Sequence, residues 1–239
     1  MSDPTISIDD WLARFFALRQ HRDEPTFCSQ LSGLRTFQRQ RLYDTHRALL
    51  ANPATRHGIR FLLDDLYGHR DLRPVAYDIR RAWRKAHNLL PQSVMKTARN
   101  ALAIAVTMQE LDEALVGYLP QQDRPLTNDD YLIAYRALGR FEERRQTFTM
   151  VTEFGEQLER YIRSRMIFAT FRMVRRPVHA AGLTNLYDFM ETCFQVMRPV
   201  PSTAVLLREI ARTETAIVDR ISCGHPMPFE DDNEQATFA

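Results

Sequence analysis

No stretch of this 239-residue chain alternates apolar and polar residues for long, and only 8 residues are glycine. A half-buried strand needs that period of two, and tight β-turns consume glycine. What recurs instead is apolar residues three and four apart, the signature of helices with one buried face. The implied fold class is all-α. A single domain of eight or nine helices is expected over residues 1–223, followed by an acidic tail at 224–239 that is expected to be disordered. The apolar fraction of 44% is enough for a sizeable core.

Ser7 ahead of Asp9 and Asp10 predicts a helix to about Gln20. Trp11, Leu12, Phe15, Phe16 and Leu18 give it a heavy apolar face, suited to docking on the core or on a partner. The spacing predicts a second helix over 28–51 around Leu31, Leu34 and Leu42, ended by Asn52-Pro53. Helices at 75–89 and 92–118 follow, the latter carrying Ala98, Leu102, Met108, Leu111 and Leu115 at helical spacing. Thr127 or Asn128 opens a long helix to about Arg165, with Gly139 and Gly155 as its points of weakness. A basic segment at 160–176 and helices at 183–197 and 203–222 complete the chain.

The strongest local pattern is Arg60-Phe61-Leu62-Leu63-Asp64-Asp65-Leu66-Tyr67-Gly68, read as a helix closed by Gly68. Ile59, Leu62, Leu63 and Leu66 fall on one stripe, and Phe61 falls opposite, flanked by Asp64 and Asp65. A large aromatic amid a polar face implies that the helix is enclosed on two sides. The two aspartates have two readings. They pair with arginines of neighbouring helices or face water, or they form a carboxylate site for a cation or for acid/base work.

The same string resembles the signature of the bacterial FFLEELY-motif proteins. Leu62 stands for the second Phe, and Asp64-Asp65 stand for the Glu pair. Arg176-Pro177, Ala181-Gly182-Leu183, Phe189-Met190-Glu191 and Phe194 resemble further pieces of that family, as does Asp130-Tyr131 with Ala134-Tyr135-Arg136. The matches span about residues 55 to 198. The resemblance implies a helical bacterial protein and supplies no catalytic residues.

Several classes are set aside. The net charge of +2 is too small to call for nucleic acid, and neither nucleic acid nor a membrane is an expected partner. The basic residues are nearly all arginine, Lys85 and Lys96 being the only lysines. Cys28, Cys193 and Cys223 are odd in number and far apart, which fits a reducing cytoplasm. No signal-peptide pattern opens the chain, and its apolar runs are too short for a transmembrane helix. There is no Gly-x-Gly-x-x-Gly, Walker loop, His-Glu-x-x-His or Gly-x-Ser-x-Gly. Asp65 with His69 is the one metal-capable i, i+4 pair singled out, and a single pair makes no site. No metal and no cofactor is expected. Residues 59–160 are spaced like a globin, without a histidine where the haem ligand would stand, so a globin-like core would be haem-free.

Phe61, Asp64, Asp65, Tyr67, Tyr131, Tyr135, Arg136 and Arg140 are the candidate binding residues. The last four share a helical face that could line a polar pocket. Arg160, Arg163, Arg172, Arg175 and Arg176, with aromatics and methionines between them, form a candidate interaction surface. The leading expectation is a non-catalytic binding or interaction protein, for a small apolar or amphipathic ligand or for a protein partner, with a homodimer among the options. The alternatives are an enzyme using Asp64 and Asp65, and nucleic-acid binding through the 160–176 arginines.

Overall fold

The computed structural model describes residues 6–66, 71–86, 91–120 and 124–230, and among them it contains twelve α-helices and no strand. The twelve arise because two of the expected helices are each divided and the basic segment forms two more. The helix expected at 28–51 becomes α2 (Pro25–Thr45) and α3 (Arg47–Ala51). The long helix breaks into α7 (Asn128–Leu138) and α8 (Phe141–Arg163). At that break Gly139 takes φ +67° and Arg140 takes φ +46°, which turns the chain out of the helical path. The basic segment folds as α9 (Arg165–Met173) and α10 (Arg175–Ala180), with α9 capped by the Ser164 hydroxyl on the Ile167 amide at 3.2 Å.

The remaining helices are α1 (Ile8–Ala17), α4 (Arg56–Phe61), α5 (Arg73–Ala86), α6 (Gln92–Val116), α11 (Thr184–Met197) and α12 (Thr203–Ser222). Two starts follow the expected chemistry closely. Ser7 and Asp10 form a reciprocal capping box on α1, and Thr127 and Asp130 form one on α7. The heavy face of α1 docks on the core: Trp11, Leu12 and Phe15 are buried with Ala76 of α5 and with Ala103 and Val106 of α6.

The centre of the molecule is the antiparallel pair α8 and α12, not the 60–68 segment. Arg145 reaches Asp219 at 2.7 Å at one end, and Glu159 accepts from the Ala204 amide at 2.9 Å at the other. The helices meet at Gly155, where a Cβ would stand 2.9 Å from the Leu207 Cβ. Gly155→Ala is expected to destabilise by about 1–2 kcal/mol in urea unfolding. Overpacking of about 1–3 kcal/mol outweighs the gain in helix propensity of about 1 kcal/mol.

The segment around Phe61 packs on one edge of that pair. As expected it is enclosed on two sides. Phe61 joins Leu158, Ile162, Phe194 and Met197, while Ile59 and Leu63 join Leu42. It is not one continuous α-helix, however: α4 ends at Phe61 and Leu62–Leu66 form a π turn. At the C-terminus, Arg220 donates to the Pro228 carbonyl at 2.8 Å and Phe229 lies 6.1 Å from the Tyr131 ring, so residues 225–229 rest on the bundle.

Candidate functional site

The structure separates the candidate binding residues. Asp64 accepts from Arg39 Nε at 2.7 Å and from the Tyr43 hydroxyl at 2.8 Å, both on α2. Burial and the Asp64 carboxylate push the Tyr43 hydroxyl above its ordinary value. The pair is more than a third exposed on both sides, so it fastens α2 to the π turn only weakly. Asp64→Asn is expected to cost less than about 1 kcal/mol and to move the thermal midpoint only slightly. The Asp65 side chain and Tyr67 lie outside the described residues.

Tyr131 and Tyr135 are buried in α7, with ring centroids 5.4 Å apart, and Tyr131 also packs on Phe37 of α2. Arg136 does not join them in a pocket. It donates to the Ile221 and His225 carbonyls at 3.2 and 3.0 Å, closing the C-terminus of α12. Arg140 sits past the end of α7 in a left-handed conformation and pairs with Glu143. The expected shared face fails at Gly139, because the helix that would carry Arg140 one turn further stops there.

Sequence reasoning missed a buried polar cluster between α2, α6, α8 and α12. Gln38, His46, Asp112, Arg144 and Glu214 are all buried, and the Arg41 side chain is 10% exposed. Arg41 Nη1 donates to Glu214 Oε1 at 2.6 Å, and His46 Nε2 lies 3.0 Å from the same oxygen. Gln38 Nε2 donates to Asp112 Oδ1 at 3.0 Å, and Arg144 stacks 4.1 Å above the Tyr135 ring. Burial raises the Asp112 carboxyl, against the Gln38 hydrogen bond and the Arg144 charge. Burial also pushes the Glu214 carboxyl up, but Arg41 and His46 outweigh it and hold the group down to about 2. Two buried carboxyls are thereby shifted in opposite directions, one raised by burial and one lowered by its cationic partners. The signal was present in the sequence: Gln38 falls in register with Leu31, Leu34 and Leu42, and Glu214 with Leu207, Ala211 and Ile217.

Among the described residues no group of three or more His, Cys, Asp or Glu gathers where a metal ion could be held. Cys193 is buried, and burial pushes its thiol up to about 12, which makes it a poor nucleophile. An open cleft of about 410 Å³ lies between the start of α2 and the end of α6, lined by Glu24, Phe27, Gln30 and Leu119. Arg19 lies along it, stacked 3.8 Å over Phe27 and paired with Glu24. None of the expected site residues lines this cleft.

The candidate interaction arginines also divide. Arg163 is tied to the 198–201 turn, donating to the Arg198 carbonyl at 3.2 Å and the Pro201 carbonyl at 2.6 Å, and it pairs with Glu159. Arg175 lies 3.8 Å from Glu191. Arg160, Arg172 and Arg176 are exposed, as is Arg165, and no carboxylate among the described residues pairs with them. Beneath them, Ile167, Phe168 and Phe171 seat α9 on Phe194, and Phe171 stacks on Tyr187 at 4.4 Å. The outward side of α9 stays apolar as well: Met166 is 77% exposed and Met173 is 80% exposed. No described helix is long and apolar enough to cross a membrane.

No curated protein and no solved structure matches the chain. Residues 17–228, from the end of α1 to the segment resting on α12, match a family described as Domain of unknown function (DUF8198). That match takes in the π turn, the buried polar cluster and the α9–α10 ridge, and the chain belongs to this uncharacterised family.

Proposed function

We propose that this chain is a non-catalytic interaction protein that docks another protein chain on the α9–α10 ridge. The observation that carries the reading is the pair of nearly bare methionines, Met166 and Met173, standing among exposed arginines on a helix seated firmly by its aromatic side. Large apolar side chains left in water at this exposure, rimmed by charge, mark surfaces that are covered in use. A homodimer through this face would set like charges against each other, so the partner is a different chain. The buried carboxylates favour the same reading. Asp78, Asp112 and Glu214 each bind side chains or amides of neighbouring helices, a fastening role.

We extend the proposal to kinship and location. The Arg60–Gly68 string and the Ala181-Gly182-Leu183 turn fit a divergent FFLEELY-motif protein of a bacterial cytoplasm. Native mass spectrometry of freshly purified protein, with an absorption spectrum of the same sample, tests the functional reading. The expected result is a protein mass free of small molecules and metal. A stoichiometric retained ligand, or turnover that depends on Asp64, overturns it.

A further inference from the structure

We infer that the partner presents an acidic amphipathic helix that packs lengthwise along the outer face of α9. This inference rests on the docking role proposed above and adds the chemistry of the occupant.

Residues 160–187 contain six arginines and no aspartate or glutamate. Arg163 and Arg175 pair with Glu159 and Glu191, which leaves Arg160, Arg165, Arg172 and Arg176 as the exposed positive charge of this segment. The exposed positions Met166, Ala169, Thr170 and Met173 form one stripe of the helix at i, i+3, i+4 and i+7, apolar but for the Thr170 hydroxyl. Arg165 and Arg172, seven residues apart, line one edge of it, and Arg176 follows in the first turn of α10. A stripe edged by cations along one side is complemented by a second stripe with carboxylates along the side that meets them, where guanidinium forks can engage them two-pronged.

The composition selects protein over the other anionic surfaces. Methionine and arginine, the residues exposed on this face, are enriched in protein interfaces. A lipid-binding helix directs its aromatic residues outward. Here Phe168 and Phe171 face the core. Phosphate backbones have no use for two bare methionines between the cations. The geometry selects a helix. A ridge made of a helix offers no strand edge to pair with, and its side-chain rows accept the ridges of another helix.

Fluorescence anisotropy with a labelled five-turn helical peptide tests this on the full chain. The peptide carries leucine along one stripe and glutamate along one edge of it. One analogue replaces glutamate with lysine, and another replaces leucine with serine. The acidic peptide is expected to bind saturably, at least about tenfold tighter than either analogue. Met173→Glu should weaken it by a similar factor. Arg172→Glu with Arg176→Glu should reverse the preference toward the lysine peptide, a swap that general loss of structure could not produce. Circular dichroism confirms that these exposed substitutions leave the fold intact. The inference is overturned if the acidic peptide does not bind, if the lysine peptide binds equally, or if the variants change nothing. It is also overturned if phosphatidylserine vesicles or a DNA duplex bind more tightly than the peptide. A protein cross-linked at Met173 that has no acidic helix would remove this inference and leave the docking role standing.

Discussion

Replacing Arg41 with methionine is expected to destabilise the fold by about 3–5 kcal/mol, read as a lowered urea midpoint. The change strands a fully buried Glu214 carboxylate whose remaining contact here is His46 at 3.0 Å. Breaking a buried pair from one side costs this much because the charge left behind has neither water nor a counter-ion. Glu214→Met removes the carboxylate that Arg41 and His46 share and should also destabilise the fold. The double variant should lose much less than the two single losses combined, because it removes both charges and keeps the volume. Simple additivity of the two losses would show that the pair is not coupled.

The same cluster sets a pH dependence with two opposing limbs. Glu214 has its carboxyl lowered from 4.5 to about 2 in the fold. Its contribution, about 3 kcal/mol from that difference, is fully present above pH 4.5 and is lost as pH falls through about 2. Asp112 acts oppositely, since its carboxyl is raised above 3.8. Its contribution is present at low pH and is lost as pH rises through the raised value. Glu214→Gln should therefore flatten the acid limb of a stability–pH curve, and Asp112→Asn should flatten the other.

Asp78→Ala is the second large effect, expected at about 2–3 kcal/mol. Asp78 on α5 is completely buried, accepts from the Leu186 amide at 3.1 Å, and holds Asn185 and Arg81. It thus caps the start of α11 from another helix, and Arg81 also binds the Gly182 carbonyl in the turn before it. Without the carboxylate the part-buried Leu186 amide loses its acceptor. Asp78→Asn keeps one acceptor oxygen and should cost distinctly less. The loss should appear as faster hydrogen exchange in the first turn of α11, before exchange rises in α8 or α12. Uniform loss of protection would place Asp78 outside this role.

Local chemistry was legible in the sequence, and chemistry between distant helices was not. Ser7 and Thr127 announced their capping boxes because each partner lies three residues on. Of the two glycines expected to weaken the long helix, Gly139 breaks it at a positive φ, whereas α8 runs unbroken through Gly155. The enclosure of Phe61 followed from its place on a polar face. The π turn at Leu62–Leu66 could not be read, because one widened turn leaves the apolar spacing almost unchanged. The fastening roles of Asp78 and Glu159 could not be read either, since each carboxylate caps a helix far along the chain. Gln38 and Glu214 stood in apolar stripes, which marked them as buried, but nothing local named Asp112 and Arg41 as their partners. On the basic segment, alternating arginines and apolar residues gave the composition of the ridge. Only the fold separates Arg163, bound to carbonyls, from Arg172 and Arg176, which face solvent.

Site-specific photo-cross-linking in the native cell tests the docking claim most directly. A photoreactive residue is placed at Met173, and in a second chain at Ile133, which is 66% exposed on α7. The account predicts a discrete adduct with another protein from Met173, none from Ile133, and loss of the adduct when Arg172 and Arg176 are changed to glutamate. The same adducts from both positions, or an adduct indifferent to those arginines, would contradict it.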